Sequence, residues 1–379
     1  MTQDYIASAK VYPTENLGKM SILDMLAYFV EKGAMRVSDL HLKVGVPPTY
    51  RIDGNLIKLK GAVVTKEMAP QLICPLLKGE RMEKLDQGKS IDCSYRYGEL
   101  QFRINVFRDN DGLAAAIRAL SLDIPDVETV GFPNTVWQDI VNRKHGLVLL
   151  TGITGAGKST TIASLIGRIG QKHANRIITI EDPIEYILPQ KYSIISQREV
   201  GRDVSTFSQG LKEMMREDPD IIFVGEMRDA ETIAMTLMAA ETGHLVFSTL
   251  HTRDVTGTIS RILDYFPEGR QAEVRNQLSL GLAYIVCQKL IPKKDATGRV
   301  VAMEILNNNY ACANLIRTGK IEQLYTQLQT RTKNQPDQNM TTLERTMAHL
   351  VKDDVVDLLE AQKWVNNIKA FTDCMQRQL

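Results

Sequence analysis

Residues 146–166 read Gly-Leu-Val-Leu-Leu-Thr, then Gly152-Ile-Thr-Gly-Ala-Gly-Lys-Ser159, then Thr-Thr-Ile-Ala-Ser-Leu-Ile. A short apolar run, a glycine-rich turn and a helix-forming stretch follow one another without a break. That order constrains the fold more than any other feature of the chain. Gly152, Gly155 and Gly157 let the backbone curl so that successive N–H groups converge on one point. The start of the following helix adds its positive end at the same place, and the result is a cradle for phosphate. Lys158 then reaches the β and γ phosphates of ATP, and the Ser159 hydroxyl ligates Mg2+. The expected nucleotide contacts are Thr154, Gly155, Ala156, Gly157, Lys158, Ser159 and Thr160. A glycine turn that merely happened to precede a lysine would not have both the strand before it and the helix after it.

Around this loop the pattern is that of an α/β sheet. Residues 147–150, 177–180, 221–224 and 245–248 are short apolar runs separated by helical stretches, as buried parallel strands read. Upstream the pattern differs. Ser21 precedes Ile22, Leu23, Met25, Leu26, Phe29 and Val30 at helical spacing. Strand-like pieces follow at 39–44, 49–52 and 56–59, around the turn signal Asp53-Gly54. A helical stretch is expected near 66–86, then strands at 91–97 and 100–107 with Gly98 between them. This reads as a small α+β domain over 21–120, behind a flexible leader at 1–20. Breakers in Asp123-Ile-Pro125 and Gly131-Phe-Pro133 place a linker at 121–134. The ATPase core is then expected over 135–309, and 310–379 reads as mainly helical.

Composition narrows the class of partner. The 46 basic and 45 acidic residues leave a net charge of +1, which argues against a dedicated nucleic-acid or membrane-surface binder. The cysteines at 74, 93, 287, 312 and 374 form no close pair, so neither a zinc site nor a disulfide framework is suggested. Reduced cysteines in a cytoplasmic protein are the plainer reading. The opening Met1-Thr-Gln-Asp-Tyr5 carries no basic segment ahead of an apolar run, so no secretion signal is expected. No stretch approaches the ~18 apolar residues of a membrane span. Such a chain is expected to meet a membrane only through a partner.

Hydrolysis needs carboxylates as well as a phosphate loop. Glu181-Asp182-Pro-Ile-Glu185 follows the run 177–180, and Glu226 follows Ile221-Ile-Phe-Val-Gly225. Both groups stand at strand ends, where sheets of this kind carry their chemistry. A metal-holding strand of this type usually ends in aspartate; here Gly225 precedes a glutamate. Spacing alone does not choose between Glu181 and Glu185. His244 and His251 flank the run 246–250, and each reads equally as a structural histidine or as a sensor of the γ-phosphate.

Taken together, these segments resemble the secretion ATPase superfamily that drives type II secretion and type IV pili. The stretch Ile178–Glu185 resembles its Asp box, Arg216–Asp229 its atypical Walker B, and Glu241–His251 its His box. Within it the chain is similar to the type IV pilus retraction, or twitching motility, ATPases. Ser38-Asp-Leu-His-Leu, Pro47-Pro48 and Arg51-Ile-Asp-Gly54 resemble their PAS-like N-terminal domain, and Ser196-Gln-Arg-Glu-Val-Gly201 also fits. Their C-terminal motif is kept at Asn314-Leu-Ile-Arg317, with Ala313 and Thr318 in place of an arginine and a glutamate. The four-cysteine site common in assembly ATPases has no counterpart.

The resemblance implies a RecA-like P-loop ATPase domain preceded by a small α+β PAS-like domain. It implies that Glu185 is the general base, that Glu226 stands near Mg2+ with Ser159, and that His244 and His251 belong to the catalytic set. Arg103 in Phe102–Phe107 and Arg118 in Ala116–Arg118 match arginines that reach the γ-phosphate. It further implies a homohexamer with ATP and Mg2+, working on an inner-membrane platform protein and, through it, on pilin. An accessory retraction ATPase, an assembly ATPase of the same machinery and a nucleotide-dependent scaffold without turnover are the alternatives.

Overall fold

Residues 91–97 and 100–106 alternate largely between apolar and polar side chains, and in the computed structural model of the chain they pair as antiparallel strands, with a third at 113–120 beside the second. Described here are residues 5–32, 36–52, 55–77, 85, 87–98, 100–120, 123–295, 298–329 and 340–376. They divide into two compact units. The N-terminal unit takes the described residues up to Ile124 together with Glu181–Ile187 and Gln197–Thr206. The C-terminal unit takes Pro125–Ile180, Leu188–Ser196 and the described residues from Phe207 onward.

The N-terminal unit is built from β1 (Tyr12–Pro13), β2 (Lys19–Met20), β3 (Val37–Lys43), β4 (Thr49–Ile52), β5 (Asn55–Lys58), β6 (Ile91–Tyr97), β7 (Leu100–Arg108) and β8 (Leu113–Leu120). Six of these form an antiparallel sheet in the order β5-β4-β3-β8-β7-β6. Leu40, Leu42, Phe102, Ile104, Val106 and Ile117 point into the core, where they meet the helix Ile22–Lys32. Ser21 and Asp24 start that helix as a reciprocal cap, each side chain accepting the other's backbone N–H. Phe29 packs edge-on against Phe102 with ring centres 5.2 Å apart. The second helix is short, Met68–Ile73 continuing into a tight turn at Cys74–Leu76. Residues 78–84 and 86 of the expected stretch lie outside the described residues, as do Asp53 and Gly54 and, in the expected linker, residues 121 and 122.

The expected leader needs correction. Residues 5–20 are not free of the fold: β1 and β2 pair as a two-stranded ribbon. Tyr12 is fully buried and donates its hydroxyl to the Ala62 carbonyl at 2.7 Å. A buried tyrosine with its hydroxyl satisfied ties this segment to the core.

The second sheet is built from β9 (Gly146–Thr151), β10 (Arg176–Glu181), β11 (Ile194–Glu199), β12 (Ile221–Val224), β13 (Leu245–Leu250), β14 (Leu282–Pro292) and β15 (Arg299–Asn307), all of the C-terminal unit save the strand ends Glu181 and Gln197–Glu199. They form one sheet in the order β11-β10-β12-β13-β9-β14-β15. The stretch β10-β12-β13-β9-β14 is parallel and β15 is antiparallel to β14. Every residue of β9, β12 and β13 is buried, which is why these runs are mostly apolar and why the Ser248 and Thr249 hydroxyls donate to the Val224 and Gly225 carbonyls. Helices fill the connections, and Asp229 and Asp254 cap two of them, Ala230–Glu241 and Val255–Asp264. Toward the C-terminus, Leu343, Met347, Val356, Ala361 and Phe371 close a separate apolar cluster over Ile291 and Ala302.

Candidate active site

The loop after β9 has the backbone that its glycines allow. Gly155 and Gly157 adopt φ of +76° and +88°, and the helix Lys158–Lys172 begins directly behind them. A side chain on Gly152 would collide with the Gln288 carbonyl, so the loop lies close against β14. Gln288 is 2% exposed and donates Nε2 to the Ala156 carbonyl at 2.6 Å. In the sequence the one signal of Gln288 is an amide directly after the apolar run 282–287. Ile153, Thr154 and Gly155 are exposed at the crest, with Ser159 and Thr160 half-buried at the helix start. Lys158 is buried and folds back, donating Nζ to the Gly152 and Ile153 carbonyls at 2.8 and 3.2 Å. Left-handed glycines, a helix N-terminus and a lysine held over the loop are the fittings a polyphosphate requires.

Two more strand ends reach the same place. β9 and β13 are parallel and in register from Gly146 and Leu245 to Thr151 and Leu250, so His251 follows β13 at the end where the loop follows β9. Glu226 stands two residues beyond β12, with Gly225 held at both groups: its N–H donates to Ile180 and its carbonyl accepts from Thr249 Oγ1. His251 Nδ1 lies 3.4 Å from Lys158 Nζ, and its Nε2 lies 3.2 Å from Glu226 Oε1. An ammonium can only donate and an ionised carboxylate can only accept. In this arrangement His251 can accept at Nδ1 from Lys158 and donate from Nε2 to Glu226. Arg228 completes the chain, its Nε and Nη2 each 2.8 Å from Glu226 Oε2.

His244 is not part of this cluster. It stands at the opposite end of β13, where its Nδ1 lies 2.9 Å from the Ala239 carbonyl and 3.2 Å from Thr242 Oγ1. It caps the end of the helix Ala230–Glu241. A six-residue strand separates the two histidines by about 20 Å.

The remaining residues belong to the N-terminal unit. Across its sheet the register places Arg51, Asp39, Arg118, Arg103 and Ser94 in one row on one face. Arg118 donates Nε to Asp39 Oδ1 at 2.8 Å, and Arg51 Nε lies 3.8 Å from Oδ2. Burial alone would raise the Asp39 pKa; the Ser38 hydroxyl and Arg118 outweigh it and hold it below the usual carboxylate value. Arg103 and Arg118 stand directly opposite one another, and their mutual repulsion is offset by carboxylates, Asp39 beside Arg118 and Asp92 and Glu185 beside Arg103. Arg103 Nη1 reaches Glu185 Oε1 at 3.4 Å. Glu181, by contrast, is 8% exposed and accepts from Gln197 Nε2 at 3.1 Å. The two carboxylates that spacing left open thus differ in place: Glu181 is buried in a hydrogen bond, and Glu185 is a third exposed beside a cation.

No helix among the described residues is long and apolar enough to cross a membrane. The sequence profile of the family described as Type II/IV secretion system protein matches residues 46–353. The type IV pilus retraction ATPase PilT of Pseudomonas aeruginosa is 41% identical over 312 residues, 82% of this chain and 89% of that protein. The type IV pilus ATPase PilU of the same organism is 33% identical over 334 residues, 87% of this chain and 85% of PilU. A crystal structure of the pilus retraction motor PilT with bound ADP superimposes with a TM-score of 0.83 at 42% identity, covering 94% of this chain and all of that one.

Proposed function

The chain belongs to the Type II/IV secretion system protein family, and from that premise we propose that it is an ATP-hydrolysing motor that drives retraction of a type IV pilus. The observation that carries the ATPase half of this reading is the chain Lys158–His251–Glu226 at the carboxyl ends of β9, β13 and β12. The retraction half is supported by the relative named a retraction ATPase, alike over four fifths of the chain.

In this mechanism the loop amides of 154–160 and Lys158 hold the phosphates. Lys158 exchanges its bonds to the Gly152 and Ile153 carbonyls for phosphate oxygens. The Ser159 hydroxyl and the Glu226 carboxylate are the hard oxygen donors that would hold Mg2+, which would supply charge neutralisation to the phosphates. Glu185 orients the attacking water and takes its proton. Arg103 and Arg118 neutralise the charge that develops on the transferred phosphoryl group, exchanging their ion pairs with Glu185 and Asp39 for it. His251, bonded to both Lys158 and Glu226, senses whether the γ-phosphate is present. The working form is a cytoplasmic homohexamer at the inner membrane, turning a platform protein so that pilin subunits leave the fibre base.

An accessory retraction ATPase is the second reading, favoured by the PilU likeness and by Ala313 and Thr318 in the C-terminal motif. Deleting the gene in its host separates the two. Piliated cells that no longer twitch, restored by the wild-type gene and not by a Glu226→Gln allele, support the retraction motor. Bare cells indicate an assembly ATPase, and piliated cells that still move indicate an accessory one.

A further inference from the structure

We infer that Gln197 and Glu199 are positioning residues for the general base: together they pin the two residues that flank Glu185. The inference rests on the reading of Glu185 given above, and everything it uses lies within the N-terminal unit. Gln197 and Glu199 are two apart on β11, so their side chains leave the strand on the same side. Glu199 is fully buried. Its Oε2 accepts from the Ile184 N–H at 3.2 Å and from the Ser94 hydroxyl, and its Oε1 accepts from the Ser94 N–H at 3.3 Å. Arg202 Nη1 stands 3.9 Å from Oε2. Gln197 donates Nε2 to the Tyr186 carbonyl at 2.8 Å and to Glu181 Oε1 at 3.1 Å. Ile184 and Tyr186, immediately before and after Glu185, are thereby fixed from one strand.

A buried carboxylate is costly to keep and is retained where several donors converge on it. Here those donors come from separate stretches of chain: Ser94 from β6 and Ile184 from the segment bearing Glu185. Glu199 therefore fastens that segment to the sheet that carries Arg103. Arg103 in turn reaches Glu185 from β7, where it pairs with Ser94 in the register. Base, finger and clamp thus share one piece of the fold.

Glutamine at 199 cannot replace the carboxylate. Whichever way its amide turns, the NH2 group faces either the Ser94 N–H or the Ile184 N–H, donor against donor. The full-length Glu199→Gln protein is expected to lose about tenfold or more in kcat, with KM for ATP and affinity for a fluorescent ADP analogue within about twofold of wild type. Amide hydrogen exchange at 182–187 should speed up without nucleotide. On a Glu185→Gln background the same change should add almost nothing to the loss, because a misplaced base and an absent one are equivalent. Ser94→Ala and Gln197→Ala should shift the same three readouts by smaller amounts, and they carry the test if Glu199→Gln does not fold. Exchange at 182–187 equal to wild type, or a rate loss that adds in full to Glu185→Gln, overturns the clamp. Failure of the base assignment has its own signature, a Glu185→Gln protein that hydrolyses ATP at the parental rate.

Discussion

At the scale of single residues, the proposed mechanism is an exchange of partners. Lys158 sits on its own loop's carbonyls and Glu226 sits between His251 and Arg228, so each has bonds to give up when a nucleotide arrives. Lys158→Ala should abolish measurable ATP binding, checked by fluorescence titration, while thermal stability changes little. Glu185→Gln should leave binding intact and lower kcat by about 10²–10⁴, the usual worth of a general base. Arg103→Ala and Arg118→Ala should each lower kcat by about 10³ or more, the lower bound for a cationic finger. The two arginines differ in a second respect. Arg118→Ala also strips Asp39 of its nearest cation and should lower the melting temperature, whereas Arg103→Ala should not. Full activity in both variants would remove the fingers from the mechanism. The phosphate loop was legible in the sequence because its chemistry is local: glycines, lysine and serine within eight residues. Glu185 could not be told from Glu181 because the distinction is made by Gln197, which only the folded strand brings alongside. His244 and His251 look alike in sequence, and only the direction of β13 separates the one beside Lys158 from the one that caps a helix.

At the scale of elements, strands hold the loop from behind. Gln288 of β14 satisfies the Ala156 carbonyl, and losing that bond strands a buried acceptor at a cost of about 1–3 kcal/mol. Gln288→Ala should therefore weaken nucleotide binding about five- to tenfold while leaving bound-state turnover nearly unchanged. A variant with unaltered affinity would show that the loop keeps its shape without β14. Elsewhere, β15 meets the start of the helix Val255–Asp264 through Glu304, whose Oε1 accepts the Val255 N–H at 2.8 Å. Burial, aided by Glu344 and Asp254 and opposed by the Val255 N–H, pushes its pKa up to about 7. A raised carboxyl pKa means that the folded state holds its proton more tightly than the unfolded state. Its contribution is complete below the ordinary value near 4.5 and is lost as pH rises from there through about 7. Glu304→Gln should melt higher than wild type at pH 8, by on the order of 3 kcal/mol, and match it near pH 4.5. Equal melting temperatures at pH 8 would contradict this. The apolar runs of β9, β10, β12 and β13 announced themselves because both faces of each strand are covered. The pairing of β14 with β15 did not, since its alternation is broken by Gln288, Lys289 and Glu304, each placed by a distant contact.

At the scale of the whole molecule, the chain passes between its two units more than once. Residues 181–187 and 197–206 leave the run of the C-terminal unit and pack with the N-terminal one. The carboxylate proposed as base and the two arginines thus belong to the N-terminal unit, and the phosphate loop, His251 and Glu226 belong to the C-terminal one. A linear reading assigns the whole of 135–309 to one core, because sequence order cannot reveal that two short segments belong elsewhere. The most direct test is steady-state ATPase activity of the purified full chain beside Glu226→Gln, with molar mass measured by light scattering in the same buffer. We expect a hexamer that hydrolyses ATP, and a Glu226→Gln hexamer of the same mass with no turnover. A monomer without turnover, or a Glu226→Gln protein as active as wild type, would contradict the motor.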